Sequence, residues 1–193
     1  DLVKGIPLTD YCDAHQLDLS ERLDLFRQIC SAVHHAHQKG IIHRDLKPTN
    51  ILVESHDGKP VPKVIDFGLA KATTGMQLSE QSLFTAFGSI TGTPLYMAPE
   101  QATFNALDVD TRADIYALGV VLYEILTGST PIRRDTLQRA ALDEMFRVIR
   151  EEEPPTPSSR VSTSEALQSL AANRHVEPSR LSRLIKGDLD WIV

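Results

Sequence analysis

The stretch His43-Arg44-Asp45-Leu46-Lys47-Pro48-Thr49-Asn50 decides the reading of this chain, together with Asp66-Phe67-Gly68 and Ala98-Pro99-Glu100, which follow it in that order. Between the first two motifs lie an apolar run, Ile51-Leu52-Val53, a polar turn through Asp57-Gly58, and a second apolar pair, Val64-Ile65. That pattern predicts a β-hairpin whose open end brings Asn50 and Asp66 together. Each short motif is weak evidence when met alone, but three in register are specific.

The residue types suit one kind of chemistry. Asp45 can accept the hydrogen bond of a substrate hydroxyl, and Lys47 reaches a phosphate from the same loop. Asn50 offers a neutral carbonyl oxygen and Asp66 a charged one, donors suited to magnesium, a hard cation. An oriented hydroxyl, a divalent metal and neutralised oxygens are what phosphoryl transfer requires. On these motifs the chain resembles the eukaryotic-type serine/threonine protein kinases, a match to a known pattern that covers most of its length. The run Ala98-Pro99-Glu100-Gln101-Ala102 leans toward the bacterial members.

The resemblance implies an α+β fold: the mainly helical C-terminal lobe of the kinase, with a small β-hairpin carrying the metal ligands. The N-terminal β-lobe is expected to be absent, because nothing here resembles the glycine-rich loop, the strand lysine or the helix glutamate that precede the hinge in the family. Residues 1–193 then form a partial kinase domain, with the hinge at 1–5, the catalytic loop at 43–50, the activation segment at 66–100 and a helical subdomain at 108–193. A start at Asp1, without methionine, and an end on the apolar Trp191-Ile192-Val193 fit a fragment.

Further roles come from the same resemblance. ATP, with Mg2+ or alternatively Mn2+, is the implied cofactor set, its adenine meeting the backbone of Asp1 and Val3 and resting on Leu52. Lys47 and the Gly92-Thr93-Pro94 run imply serine/threonine hydroxyls of proteins as substrates, with Thr93 bridging Asp45 and Lys47. Arg44 and Lys71 are expected to hold a phosphorylated residue of the activation segment, Ser89 first, then Thr91 and Thr85. His43 should pack on Phe67, and Asp114 should anchor the catalytic-loop backbone. Glu100 is expected to lack its family arginine here, with Arg174, Arg180 and Arg183 as the substitutes at hand; buried and unpaired, it would cost several kcal/mol. The missing lobe of the same polypeptide is the implied partner, and the isolated residues should bind ATP poorly and turn over little.

Composition is compatible with this reading without producing it. The chain has 193 residues, 41% hydrophobic and 24% charged, which describes a soluble globular domain able to bury a core. A net charge of -6 argues against nucleic acid as a partner, since that needs a clustered basic face. Cys12 and Cys30 fit neither a metal site nor a disulfide framework, which favours a reducing compartment. No apolar run approaches the roughly 20 residues that span a bilayer, and no signal-peptide pattern opens the chain. A cytoplasmic kinase domain is expected, in a family whose parents often carry a membrane anchor elsewhere.

Periodicity predicts the helices. Leu23, Phe26, Ile29, Cys30 and Val33 share one helical face, with Ser20 as N-cap and Gly40 as stop. His34, His35 and His37 on that helix are read as surface or hydrogen-bonded groups, because their spacing does not converge on one ion. Ile115, Leu118, Leu122, Ile125 and Leu126 predict a buried helix ending at Gly128, and Leu137, Ala141, Met145 and Val148 another, ending near the solvated run Glu151-Glu152-Glu153. Pro154 to Ser159 reads as an irregular linker, Ser164 to Asn173 as a short helix, and Leu189 to Val193 as the beginning of another.

Two other classes share some of these features. A non-catalytic kinase-like interaction module has no need of Asp45, Asn50 and Asp66 together. A small-molecule phosphotransferase of related fold would share the metal residues but not the run from Gly92 to Glu100.

Overall fold

A computed structural model of the chain describes residues 3–67, 93–102 and 110–193. Asp1, Lys71, Thr85, Ser89 and Thr91, all named above, lie outside the described residues, as does the side chain of Thr93.

The site is built around a small sheet. Strands β2 (Ile51–His56) and β3 (Lys59–Val64) pair antiparallel, with Ile51 opposite Val64 and His56 opposite Lys59. Asp57 and Gly58, with φ of 51° and 76°, make the tight turn between them, a conformation that suits the right-handed twist of paired strands. The strands run longer than the apolar runs alone mark. A short third strand, β1 (Ile6–Pro7), which the apolar pattern does not reveal, pairs antiparallel with β2. Gly5 makes that approach possible: a Cβ there would lie 2.9 Å from the Leu52 Cβ and 3.0 Å from the Val53 carbonyl oxygen.

Helix α1 (Leu8–Ala14) leads into α2 (Leu19–Gln38), whose N-cap lies two residues before the expected one. Asp18 is the N-cap: its Oδ1 accepts from Glu21 N at 2.9 Å, while Glu21 Oε2 accepts from Asp18 N at 2.8 Å. Ser20 lies inside the helix. Gly40, at φ 71°, does carry the chain out of it. Leu25, Ile29 and Val33 form the buried stripe of α2.

Helix α3 (Thr111–Thr127) is the central element, capped by Asp110 and ended by Gly128 at φ 75°. It is buried nearly all round because two apolar clusters use it. One joins Val121 and Ile125 to Leu8, Ile29, Val33, Ile51 and Met145. The other sets Leu122 and Leu126 against Val161, Leu181 and Ile185. Ile115, expected on the inner face, is 59% exposed, and its neighbour Asp114 points inward instead.

The single helix expected around Met145 is two, α4 (Arg134–Arg139) and α5 (Leu142–Glu151), separated by extended backbone at Ala140 and Ala141. The expected linker contains α6 (Pro157–Ser162): Thr156 caps it and Pro157 occupies its first turn, where a missing N–H costs nothing. Three short helices follow, α7 (Leu167–Asn173), α8 (Pro178–Ile185) and α9 (Asp188–Ile192). No helix among the described residues is long and apolar enough to cross a membrane.

Candidate functional site

Asp114, in the first turn of α3 and 1% exposed, organises the loop that precedes β2. Its Oδ2 accepts from His43 N and its Oδ1 from Arg44 N, both at 2.8 Å. Oδ2 also lies 2.7 Å from His37 Nε2, at the carboxyl end of α2. The carboxylate thus ties two helices to a backbone that must stay bent, because Arg44 sits at φ 65°, in the left-handed region.

His43 carries the next connection. Its ring is fully buried; Nε2 lies 2.8 Å from Ile65 O, and Nδ1 accepts from Asp45 N at 3.2 Å. Donation through Nε2 and acceptance at Nδ1 define one neutral tautomer, assigned here from the two partners. The same ring lies 4.8 Å from Phe67, centroid to centroid, at a tilt of 54°. His43 therefore couples the loop before β2 to the segment after β3, as its sequence context suggests.

Asp45, Lys47 and Asn50 converge on one point. Lys47 Nζ is 2.8 Å from Asp45 Oδ2. Asn50 Nδ2 donates to Asp45 O at 2.9 Å and to Asp45 Oδ2 at 3.2 Å. The Asn50 amide nitrogen is thereby committed to Asp45, which leaves Oδ1 as the atom that could hold a cation. Pro48 to Asn50 form a 3-10 turn that delivers Asn50, 7% exposed, to the start of β2.

Asp66 stands two residues beyond β3, exposed and at φ 58°. The bond from Ile65 N to Asn50 O, 2.9 Å, closes the open end of the hairpin and holds the backbone of Asp66 beside that of Asn50. The pair offers an amide oxygen and a carboxylate, an all-oxygen donor set that fits magnesium or manganese and not a soft metal. Leu52 is half-buried on β2, opposite Pro7 of β1, and Val3 lies just before that strand.

The turn containing Thr93–Tyr96 is fixed from below. Tyr96 Oη donates to Glu124 Oε2 on α3. Burial, then the neighbouring Glu124 charge, raises the Tyr96 phenol well above its usual range, and burial likewise raises the Glu124 carboxyl. Ala98 N donates to Gln101 Oε1 at 3.0 Å, and Arg150 of α5 donates to Ala102 O at 2.9 Å. Glu100 is exposed, so the cost expected for a buried carboxylate does not arise. Two of the three suggested substitutes are engaged elsewhere: Arg174 is buried against the carbonyls of Leu170 and Ile125, and Arg183 bonds Ser179 O.

Two contributors are missed by sequence reasoning. His37 is grouped with His34 and His35, yet only His37 reaches Asp114; His34 bonds Gln38 at 3.0 Å. The available signal was its position four residues after Val33, on the buried stripe. Glu124 escapes because the apolar pattern of α3 runs through it. Among the described residues no cluster of three or more His, Cys, Asp or Glu could hold a metal.

Known proteins align with this arrangement. The family described as protein kinase domain matches residues 1–185. Serine/threonine-protein kinase pkn3 of Myxococcus xanthus is 43% identical over 134 residues, 69% of this chain and 23% of that protein. Serine/threonine-protein kinase Pkn1 of the same organism is 39% identical over 160 residues, 82% of this chain and 21% of its own length. Serine/threonine-protein kinase PknB of Mycobacterium leprae is 37% identical over 140 residues, 72% of this chain and 20% of that protein. The chain thus spans about a fifth to a quarter of the length of these curated relatives.

Proposed function

This chain belongs to the protein kinase domain family, and from that premise we propose that it supplies the substrate-hydroxyl and metal half of an ATP-dependent protein serine/threonine kinase. The observation that carries the reading is the convergence of Lys47 Nζ and Asn50 Nδ2 on Asp45. Asp45 is held with one carboxylate oxygen engaged, oriented to accept a hydrogen bond from an incoming hydroxyl. Lys47 sets a positive charge beside the position of the transferring phosphoryl oxygens. Asn50 Oδ1 and Asp66 hold the divalent ion, which supplies charge neutralisation on the phosphates when bound. Positioning is most of what the protein contributes in such a reaction, which is why Asp114 and His43 invest in fixing the loop.

The adenine platform is assigned to Val3 and Leu52, and the phosphate-covering loop and strand lysine to chain outside these residues. The family resemblance assigns Thr93 to bridging Asp45 and Lys47, as in kinases that act on serine and threonine. An interaction module without catalysis would have no use for Asn50 and Lys47 both aimed at one carboxylate.

The test is metal-dependent phosphotransfer by the complete protein. Asp66→Asn should raise the magnesium concentration needed for half-maximal activity and lower kcat by roughly a hundredfold or more. Residues 1–193 alone should give little or no turnover. Wild-type magnesium dependence in Asp66→Asn would remove the metal assignment.

A further inference from the structure

We propose that Glu54 is a positioning residue for ATP: its carboxylate, held by Lys63, fixes the backbone before β1 against the sheet and so sets where adenine lies between Val3 and Leu52. The inference rests on the adenine platform assigned above to Val3 and Leu52. It adds a residue that neither the catalytic motifs nor the apolar pattern singles out.

The sheet's own hold on that segment is short. Strand β1 meets β2 with Ile6 opposite Val53 and Pro7 opposite Leu52, and Pro7 has no N–H to donate. Lys4 lies beyond the end of this ladder, and its N–H donates to Glu54 Oε1 at 2.8 Å. That bond anchors the backbone at the residue adjoining Val3. The other carboxylate oxygen, Oε2, takes Lys63 Nζ of β3 at 2.8 Å. One side chain on β2 thus ties the segment before β1 to both strands of the hairpin.

The tie sits on the face that the platform uses. Alternation places Leu52 and Glu54 on the same side of β2, and Lys63, directly opposite Leu52, shares that side. Gly5 brings the backbone down onto the same residue, since a Cβ there would lie 2.9 Å from the Leu52 Cβ. The absent side chain lets the chain approach, and the bond to Lys4 N keeps it there.

Fold stability does not account for the arrangement. The side chains of Lys63 and Glu54 are 47% and 23% exposed, and ion pairs so open to water contribute little. Glutamate is also a poorer strand former than the β-branched residues that would suit this position. What the carboxylate supplies is a charged acceptor for a backbone N–H. Lys63, then Lys4 N, hold the Glu54 carboxyl below its usual range, so it is ionised at neutral pH.

Steady-state kinetics of the complete protein with magnesium, paired with calorimetric titration of ADP, test this. Glu54→Ala should raise KM for ATP and weaken ADP, each by about five- to tenfold. It should leave kcat and the KM for the protein substrate within about twofold, and the thermal unfolding midpoint within about 3 °C. Glu54→Gln, which keeps an acceptor for Lys4 N, should recover most of the ADP affinity. Leu52→Ala reports on the platform itself and should also weaken ADP. Weakening by Leu52→Ala but not by Glu54→Ala overturns the role of Glu54 alone, whereas wild-type ADP affinity in Leu52→Ala overturns the platform and this role with it. Equal rises of both KM values in Glu54→Ala, or ADP binding by Glu54→Gln as weak as that by Glu54→Ala, also overturn the role of Glu54.

Discussion

Asp114, 1% exposed, accepts three hydrogen bonds, from His43 N, Arg44 N and His37. Asp114→Ala leaves two backbone N–H groups unpaired beneath the loop and should cost about 2–5 kcal/mol, read from urea unfolding midpoints. A loss below about 1 kcal/mol would mean that the loop is held by something else. Glu124 makes a separate prediction about pH. Burial raises its pKa, so the folded state binds its proton more tightly than the unfolded state does. Its stabilising contribution is therefore complete below the ordinary carboxylate range and is lost as pH rises through the raised value. Glu124→Gln keeps an acceptor for Tyr96 Oη without the charge. The stability of wild type relative to this variant should rise on going from pH 7 to pH 4; a flat difference would contradict the assigned burial cost.

At the scale of elements, two helix-ending glycines share a backbone conformation but not an environment. Gly40 and Gly128 sit at φ 71° and 75°; a Cβ at Gly40 meets nothing within 4 Å, whereas one at Gly128 lies 2.8 Å from Leu170 Cδ2. Gly40→Ala should cost about 1 kcal/mol from backbone strain. Gly128→Ala should cost about 2–4 kcal/mol, since overpacking is added. Equal thermal shifts would mean that Leu170 yields freely. The hairpin was legible in the sequence because Asp57-Gly58 names its turn, and α3 was legible from its apolar period and from Gly128 at its end, whereas its cap, Asp110, shows only in the fold. The start of α2 was misread between two polar residues, although Asp18 and Glu21 have capping-box spacing. The break between α4 and α5 had no local signal: Ala140 and Ala141 favour helix, and only tertiary packing sets them extended. Pro154-Pro155-Thr156-Pro157 looked like a linker because prolines end helices, yet the last of them starts one.

Across the whole molecule, the site draws on segments far apart in the chain: the carboxyl end of α2, the loop before β2, the segment after β3 and the first turn of α3. The motifs were readable because their residue types are dictated by chemistry. The frame that holds them was less so, because His37 and Glu124 are polar residues chosen by partners that only the fold brings near. Pairing Lys47 and Asn50 to Asp45 has one direct consequence for the complete protein. The measurement that tests it is transfer of the γ-phosphate of ATP to a protein substrate, followed by identification of the phosphorylated amino acid. Wild type should label serine or threonine, and Asp45→Asn, which preserves the shape of the loop, should lower kcat by about 10²–10⁴-fold. Transfer by Asp45→Asn at the wild-type rate, or no transfer by the complete wild-type protein with magnesium present, would contradict the account.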